Sequence, residues 1–291
     1  MGVSRKAYQM LAIITGAYGG LGTALSKSFW EAGYDLMLVG RNKSKLELLK
    51  DSLQINARQE CQIGVCDLEQ GAMVQDFLAT QISTLDRIDV LINNAAIHGD
   101  IGLSWETDLV ELHNVLQVNF LAPVAFCQAV MPAMIRANRG SIINLSGGGA
   151  TSPRPMFSGY ASSKVALLRF SETIAEEADS YGVKVNCISP GLMPTKLLTD
   201  VIEKGAGIAG VKEVETAKKA FSQAGSSTNK VVALALFLAS GDSNGITGKT
   251  ISAVWDNWEI WPNNIAELSS TDAYTLRRIA GRDRDMSWGD K

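Results

Sequence analysis

Short apolar runs alternate with helix-length stretches through most of this chain, and no other feature constrains its fold as much. LAIIT (11–15) ends in glycines, and residues 20–32 follow with Leu21, Leu25 and Phe29 at helical spacing. DLMLV (35–39) precedes the helix-like KSKLELLKDSL, CQIGVC precedes Asp67 and a helix across 69–82, and DVLIN (89–93) precedes a long helix over about 106–137. SIINL (141–145) leads into a helix over about 158–180, and VKVNCIS (183–189) and KTISAV (249–254) add two more strands. Such alternation implies parallel strands joined by right-handed crossovers: an α/β, doubly wound, mostly parallel seven-stranded sheet with helices on both faces. Sheets of this kind bind ligands beyond the carboxyl ends of their strands. The loops after residues 15, 39, 66, 92, 145 and 189 are therefore expected to converge on one crevice.

At 291 residues, with 46% hydrophobic and 20% charged content, the chain has ample material for a core. A net charge of −3 without a basic block gives no electrostatic reason to expect nucleic acid. Cys61, Cys66, Cys127 and Cys187 lack metal or redox spacing and read as buried free thiols. His98 and His113 are too few for a histidine-rich metal cluster. Arg5 and Lys6 before YQMLAIITGA faintly imitate a signal peptide, but that apolar run is needed as the first strand. VVALALFLA (231–239) is roughly half the length that spans a bilayer. The expectation is a cytoplasmic protein without a membrane segment.

Thr15-Gly16-Ala-Tyr18-Gly-Gly20-Leu21-Gly22 joins the first strand to the first helix, where glycines permit a tight turn and a helix N-terminus can meet a pyrophosphate. The second strand ends in Val39-Gly40-Arg41, with no acidic residue to hold a ribose hydroxyl. Arg41 is either a phosphate-binding fork or a solvated arginine opening the next helix. Tyr160 and Lys164 lie four apart, on one helix face. A free tyrosine titrates near ~10, so a phenol serving at neutral pH needs about 4 kcal/mol of help from nearby positive charge.

TGxxxGxG, Asn93-Asn94-Ala95-Ala96, Asn119 in a long helix, YxxxK at 160–164 and PGLMPT (190–195) resemble, in order and spacing, the short-chain dehydrogenases/reductases, over about residues 8–254. The resemblance implies a Rossmann-type fold and an oxidoreductase acting on a small-molecule carbonyl or alcohol with NADP or NAD; Gly40-Arg41 favours NADP. It assigns Tyr160 the proton transfer, Lys164 its support, and Asn119 a water relay to solvent. It places the dinucleotide on Thr15, Gly16, Tyr18, Gly20, Leu21, Gly22 and Arg41. Asp67 and Leu68 would border the adenine, Asn94 the adenosine ribose, with Ala95 and Ala96 alongside. Pro190, Gly191 and Thr195 would face the nicotinamide. Pro123 would free the Asn119 carbonyl for the relay water, or merely kink the helix.

Two positions depart from the pattern, and Ala96, which stands where the family usually has a glycine, is the lesser of them. The serine expected to hold the substrate oxygen falls at Gly147, with Ser146 one place early. Ser146 takes the role if the triglycine 147–149 turns it around; otherwise Thr151, Ser152 or Ser158 serves, or no donor does. Losing such a donor typically slows an enzyme by about 10²–10³ without killing it; a dinucleotide-binding sensor or assembly protein without catalysis is the alternative that Gly147 keeps open. Residues 196–229 fall where the family keeps a variable substrate lid, and His98 and Trp105 are candidates for the same mouth. Residues 255–291 are extra, with Trp255, Trp258 and Trp261 followed by a helix-like DAYTLRRIAGRDRDMSW and an arginine cluster. Either this extension packs on the body or a neighbouring subunit, or it completes a pocket for a sugar or anionic substrate. The helices near 106–137 and 158–180 are where family members pair, so a homodimer or homotetramer is expected.

Overall fold

A computed structural model describes residues 9–54, 58–222, 226–286 and 288; Arg5 and Lys6 lie outside the described residues. In chain order the elements are β1 (Leu11–Thr15), α1 (Gly20–Glu31), β2 (Asp35–Gly40), α2 (Lys43–Asp51), β3 (Cys61–Val65), α3 (Gly71–Phe77), β4 (Val90–Asn93), α4 (Leu109–Leu116) and α5 (Ala122–Ala137). β5 (Gly140–Leu145), α6 (Ser158–Ala178), β6 (Val183–Ser189), α7 (Lys196–Lys204), α8 (Ala206–Ala209), α9 (Val211–Ser222), α10 (Ser226–Ala239), β7 (Thr250–Ser252) and α11 (Ile265–Ser270) follow. The strands form one parallel sheet in the order β3-β2-β1-β4-β5-β6-β7. The order reverses between β1 and β4, which puts a switch point at the carboxyl ends of those two strands.

Alternate residues of each strand feed opposite cores. Ile14, Leu38, Ile92 and Leu145 join one cluster with Leu25, Phe29 and residues of α10. Ile13, Val39, Leu91 and Ile142 join the other with Phe77, Phe126 and Met134. Helices on both faces thus bury strands that are apolar on both sides, as the sequence pattern requires.

The expected helix over 106–137 starts later and is broken in register. A π-turn at Gln117–Leu121 separates α4 from α5, and Pro123 enters the first turn of α5. Proline has no N–H to donate, and the widened turn places it where none is demanded. By length and composition Leu109–Ala137, rather than 231–239, is the run that would reach across a bilayer; more than half of its most apolar stretch is buried in the protein.

Within the stretch expected as a lid, residues 196–222 form three helices, α7 to α9, whose joints are Gly205 (φ 75°) and Gly210 (φ 91°). No neighbouring atom lies near either glycine's missing Cβ. The extension turns back on its own chain. Trp258 and Trp261 join the first core cluster, Trp258 packing on Phe237 at 5.2 Å and Trp261 on Tyr274 at 4.4 Å, while Trp255 stays exposed. Among the described residues after 271 the helix-like stretch does not form an α-helix; a short 3₁₀ turn, Gly281–Arg284, appears there. Its backbone is claimed by the body instead: Thr250 N–H donates to Tyr274 O (2.8 Å) and Leu276 N–H to Glu172 Oε1 (2.6 Å). Tyr274 is moreover left-handed at φ 61°. Tertiary hydrogen bonds here outweigh local propensity.

Candidate active site

The turn after β1 shows why its glycines are needed. A Cβ on Gly22 would lie 2.1 Å from Gly16 O, and one on Gly16, at φ 63°, would lie 2.9 Å from Ala95 Cα. The Thr15 hydroxyl accepts from Asn94 N (3.0 Å) and Ala95 N (3.2 Å), and Asn94 Nδ2 donates to Thr15 O (3.0 Å) and Gly16 O (3.2 Å). The Asn94 amide therefore clamps two loops together. Above this clamp α1 begins without a side-chain cap or an acidic residue in its first turn. Gly20, at that end, faces open space with only Pro194 O at 3.9 Å from its missing Cβ. Uncapped N–H groups and a helix dipole with room in front fit a pyrophosphate.

At the end of β2, a Cβ on Gly40 would lie 2.6 Å from Tyr18 Cε1, so the tyrosine ring fills the place an acidic side chain would need. Lys45 Nζ stands 5.6 Å from that ring's centre. Arg41 holds Glu69 at 2.8 Å in an exposed pair, which binds weakly and can exchange for a phosphate. Asp67 accepts from Glu69 N and Gln70 Nε2, and Leu68 is buried. From the far side, Gly191 (φ 72°) packs against Val254, and the Thr195 carbonyl accepts from Leu198 N and Thr199 N as α7 starts. The loop after Pro190 thereby reaches the glycine turn through Pro194.

Tyr160 and Lys164 share the inner face of α6, at 5% and 2% exposure. Lys164 Nζ donates to Leu145 O (2.8 Å), at the end of β5, and lies 5.8 Å from the Tyr160 ring centre. The tyrosine hydroxyl sits against the triglycine turn, where a Cβ on Gly147 would come within 2.2 Å of it. At the position where the resemblance leads one to expect a serine, the space for a side chain is taken by the phenol. Ser146 is buried, its N–H bonded to Ile188 O (2.9 Å). Thr151 and Ser152 are exposed, and Ser158 lines a small cavity of about 120 Å³ together with His98 and Ser162.

Burial sets the proton affinities here. It raises the Tyr160 phenol to about 12, with the nearby Arg154 charge opposing it. It lowers Lys164 to about 8, with Cys187 acting the other way. It lowers His98 to about 3, helped by the charges of Arg154 and Lys164, so His98 is neutral. Its ring stands edge-on to Tyr160 at 4.8 Å and to Phe157 at 5.4 Å, with Nδ1 unpartnered. Trp105, the other candidate for the mouth, is exposed.

Asn119 is fully buried, and both polar atoms of its side chain are hydrogen-bonded. Oδ1 accepts from Ile97 N (2.9 Å), and Nδ2 donates to Ile97 O (2.8 Å) and Ser163 Oγ (3.0 Å). Ser163 Oγ in turn donates to Tyr160 O (2.7 Å). Asn119 accordingly reaches the tyrosine's own turn through Ser163. Two features escape sequence reasoning. A buried amide ladder runs from Asn93 Nδ2 to Asn144 Oδ1 (2.8 Å) and from Asn144 Nδ2 to Ser171 Oγ (2.7 Å); amides ending otherwise apolar strands were its only signal. Arg154 and Glu213 form an ion pair at 2.7 Å beside Tyr160, across 59 residues of sequence that gave no sign of it.

The parallel sheet, with its glycine turn at the switch point, is a Rossmann-type doubly wound fold. The chain belongs to the short-chain dehydrogenase family, whose sequence pattern matches residues 10–228. It is 30% identical over 248 residues to the 3-oxoacyl-[acyl-carrier-protein] reductase FabG of Chlamydia trachomatis, covering 83% of this chain and 94% of that one. It is also 30% identical over 219 residues to dehydrogenase/reductase SDR family member 7B of Bos taurus, covering 72% of this chain and 65% of the relative. The NAD+-bound xylitol dehydrogenase structure shares the fold at a TM-score of 0.73 and 24% identity, over 84% of this chain and 96% of that one. YwfH, an NADPH-dependent reductase of bacilysin biosynthesis, does so at 0.73 and 23%, over 84% and 97%.

Proposed function

We propose that this chain is an NADP-preferring oxidoreductase that interconverts a carbonyl and a secondary alcohol, with Tyr160 as general acid and base. The observation that carries the reading is a buried phenol with a buried lysine one turn away, the lysine bonded to the carboxyl end of β5. Thr15, Gly16, Gly20, Gly22 and the start of α1 would hold the pyrophosphate, and Tyr18, Arg41 and Lys45 the adenosine end; Thr195 would face the nicotinamide. When bound, the nicotinamide supplies or takes the hydride. Tyr160 gives its proton to the carbonyl oxygen in reduction and takes the hydroxyl proton in oxidation. Lys164 and Arg154 supply the positive charge that a phenolate in so dry a place requires. Gly40 in place of an acid and two cations nearby support NADP over NAD.

A second reading, a dinucleotide-binding protein without turnover, is favoured by the 5% exposure of Tyr160 and its upward shift. The same experiment separates the two. Tyr160→Phe should lower turnover of ketones or secondary alcohols at least 100-fold, with dinucleotide affinity within threefold of the parent. Binding without turnover in the unmodified protein would select the second reading. Tighter binding of NAD than NADP at matched salt would reverse the cofactor preference. The reading also carries pairing through the outer faces of α5 and α6, which mass measurement in solution tests.

A further inference from the structure

Arg154 lies in the loop between β5 and α6, folded back over the triglycine turn. The guanidinium Nη1 is 3.7 Å from where a Cβ of Gly148 would be, and the Arg154 Cβ is 3.2 Å from that of Gly149. Its guanidinium stacks on Phe157 at 3.8 Å, lies 5.8 Å from the Tyr160 ring centre and is only 13% exposed. A cation this deep needs an anionic partner, and the one it has comes from the lid: Glu213 of α9, forked onto Nε (3.3 Å to each oxygen) and Nη2 (2.7 Å).

That pairing cannot persist while substrate reaches the phenol. Val201, Ala209, Val214 and Ala217 of the lid pack with Phe157 and Tyr160 in one apolar cluster, which leaves the tyrosine covered. Admitting a small molecule requires the lid to lift, and the open glycine joints at 205 and 210 are where it can bend. Lifting takes Glu213 away and leaves the guanidinium unpaired beside the reacting centre. A ligand that brings its own carboxylate restores the planar, two-pronged bond that Glu213 gave up. A neutral ligand does not.

We propose that Arg154 is the specificity-determining residue of this site, binding the carboxylate of an oxo acid or hydroxy acid in the place Glu213 occupies when the lid is closed. The inference rests on the oxidoreductase reading and narrows its substrate class to carbonyl compounds bearing a carboxylate. The Glu213 carboxylate is the internal mimic of that group.

The test compares oxo acids of three to six carbons with their methyl esters, using both nicotinamide dinucleotides. The expected result is a kcat/KM ratio of acid to ester of at least 50 for the best pair. Arg154→Gln should bring that ratio to within fivefold of one, while Glu213→Gln should raise the kcat/KM for the acid at least threefold by removing the competing carboxylate. A ratio near one in the unmodified enzyme, or a high ratio that survives Arg154→Gln, overturns the proposal and leaves the oxidoreductase reading standing. If no compound in the panel turns over, calorimetric titration of the dinucleotide-loaded protein with butyrate and butyramide decides. Binding of butyrate alone, weakened at least tenfold by Arg154→Gln and strengthened by Glu213→Gln, supports the proposal. Equal binding of the two, or none of either, overturns it. Arg154→Lys serves if the glutamine variant fails to fold; it keeps the charge but loses the fork, and the ratio should still fall.

Discussion

Position 147 invites repair, and the geometry argues against it. The serine that the family resemblance leads one to expect there would place its Cβ 2.2 Å from the Tyr160 hydroxyl and 2.9 Å from Cζ, on a ring held by His98 and Phe157. Such a collision is relieved only by moving the ring, and overpacking of this kind costs about 1–3 kcal/mol. Gly147→Ser is therefore expected to lower stability by that amount, read by urea denaturation, and to reduce kcat/KM at least tenfold. A gain in rate would show that the ring has room to swing and that the donor role belongs to a serine after all. Gly147 was legible in the sequence as a departure, but its cause was not. The reason is a contact across thirteen residues that depends on where α6 docks. Gly40 behaves alike: its lack of charge could be read, but not the Tyr18 ring that occupies the space.

Among the elements, those with a strong period were readable and those that live by tertiary contact were not. β1 to β6 and α1, α2 and α6 fall close to where apolar spacing puts them. The stretch after residue 271 carries helix-forming residues yet is drawn out by Glu172, Thr250 and Lys249, which take its backbone groups. The tryptophans before it anchor the extension. Trp258 is buried on Phe237 of α10, within the core cluster that contains β1 and α1. Replacing a buried tryptophan by alanine typically costs about 3–5 kcal/mol. Trp258→Ala is expected to fall in that range in urea or thermal denaturation, whereas Trp255→Ala, at an exposed position, should lie within about 0.5 kcal/mol of the parent. Equal effects would mean that the extension is not part of the core.

For the whole molecule, the buried titratable groups fix how stability follows pH. His98 is lowered to about 3, so its contribution is complete above about 6.5 and is lost as pH falls toward 3. Lys164 and Lys184 are lowered to about 8 by burial, so the penalty of holding them charged eases as pH rises from about 8. The four cysteines act oppositely. Burial raises Cys61, Cys66 and Cys187 to about 11 and Cys127 to about 12, so the unfolded chain loses thiol protons first and stability falls above about 9. Lys249, also lowered, adds to the rise and the raised Tyr34 and Tyr160 phenols add to the fall, so the maximum lies on the alkaline side, between about pH 8 and 10. Urea midpoints between pH 5 and 10.5 should rise to that range and then decline, and His98→Gln should flatten the acid limb. A maximum below pH 7 would contradict the burial of these groups.

Taken by itself, the sequence determined the parallel doubly wound sheet, the glycine turn at its switch point and the tyrosine–lysine pair on one helix. Each of these rests on local periodicity or on conformations that only certain residues adopt. It also set Gly147 where the resemblance leads one to expect a serine. Only the tertiary structure decided what fills that gap, what clamps Asn94 and Asn119, and where the extension goes. It alone brought Arg154 under Glu213 at the tyrosine, because close packing between distant segments is set by how helices seat on the sheet, and no spacing along one chain records that.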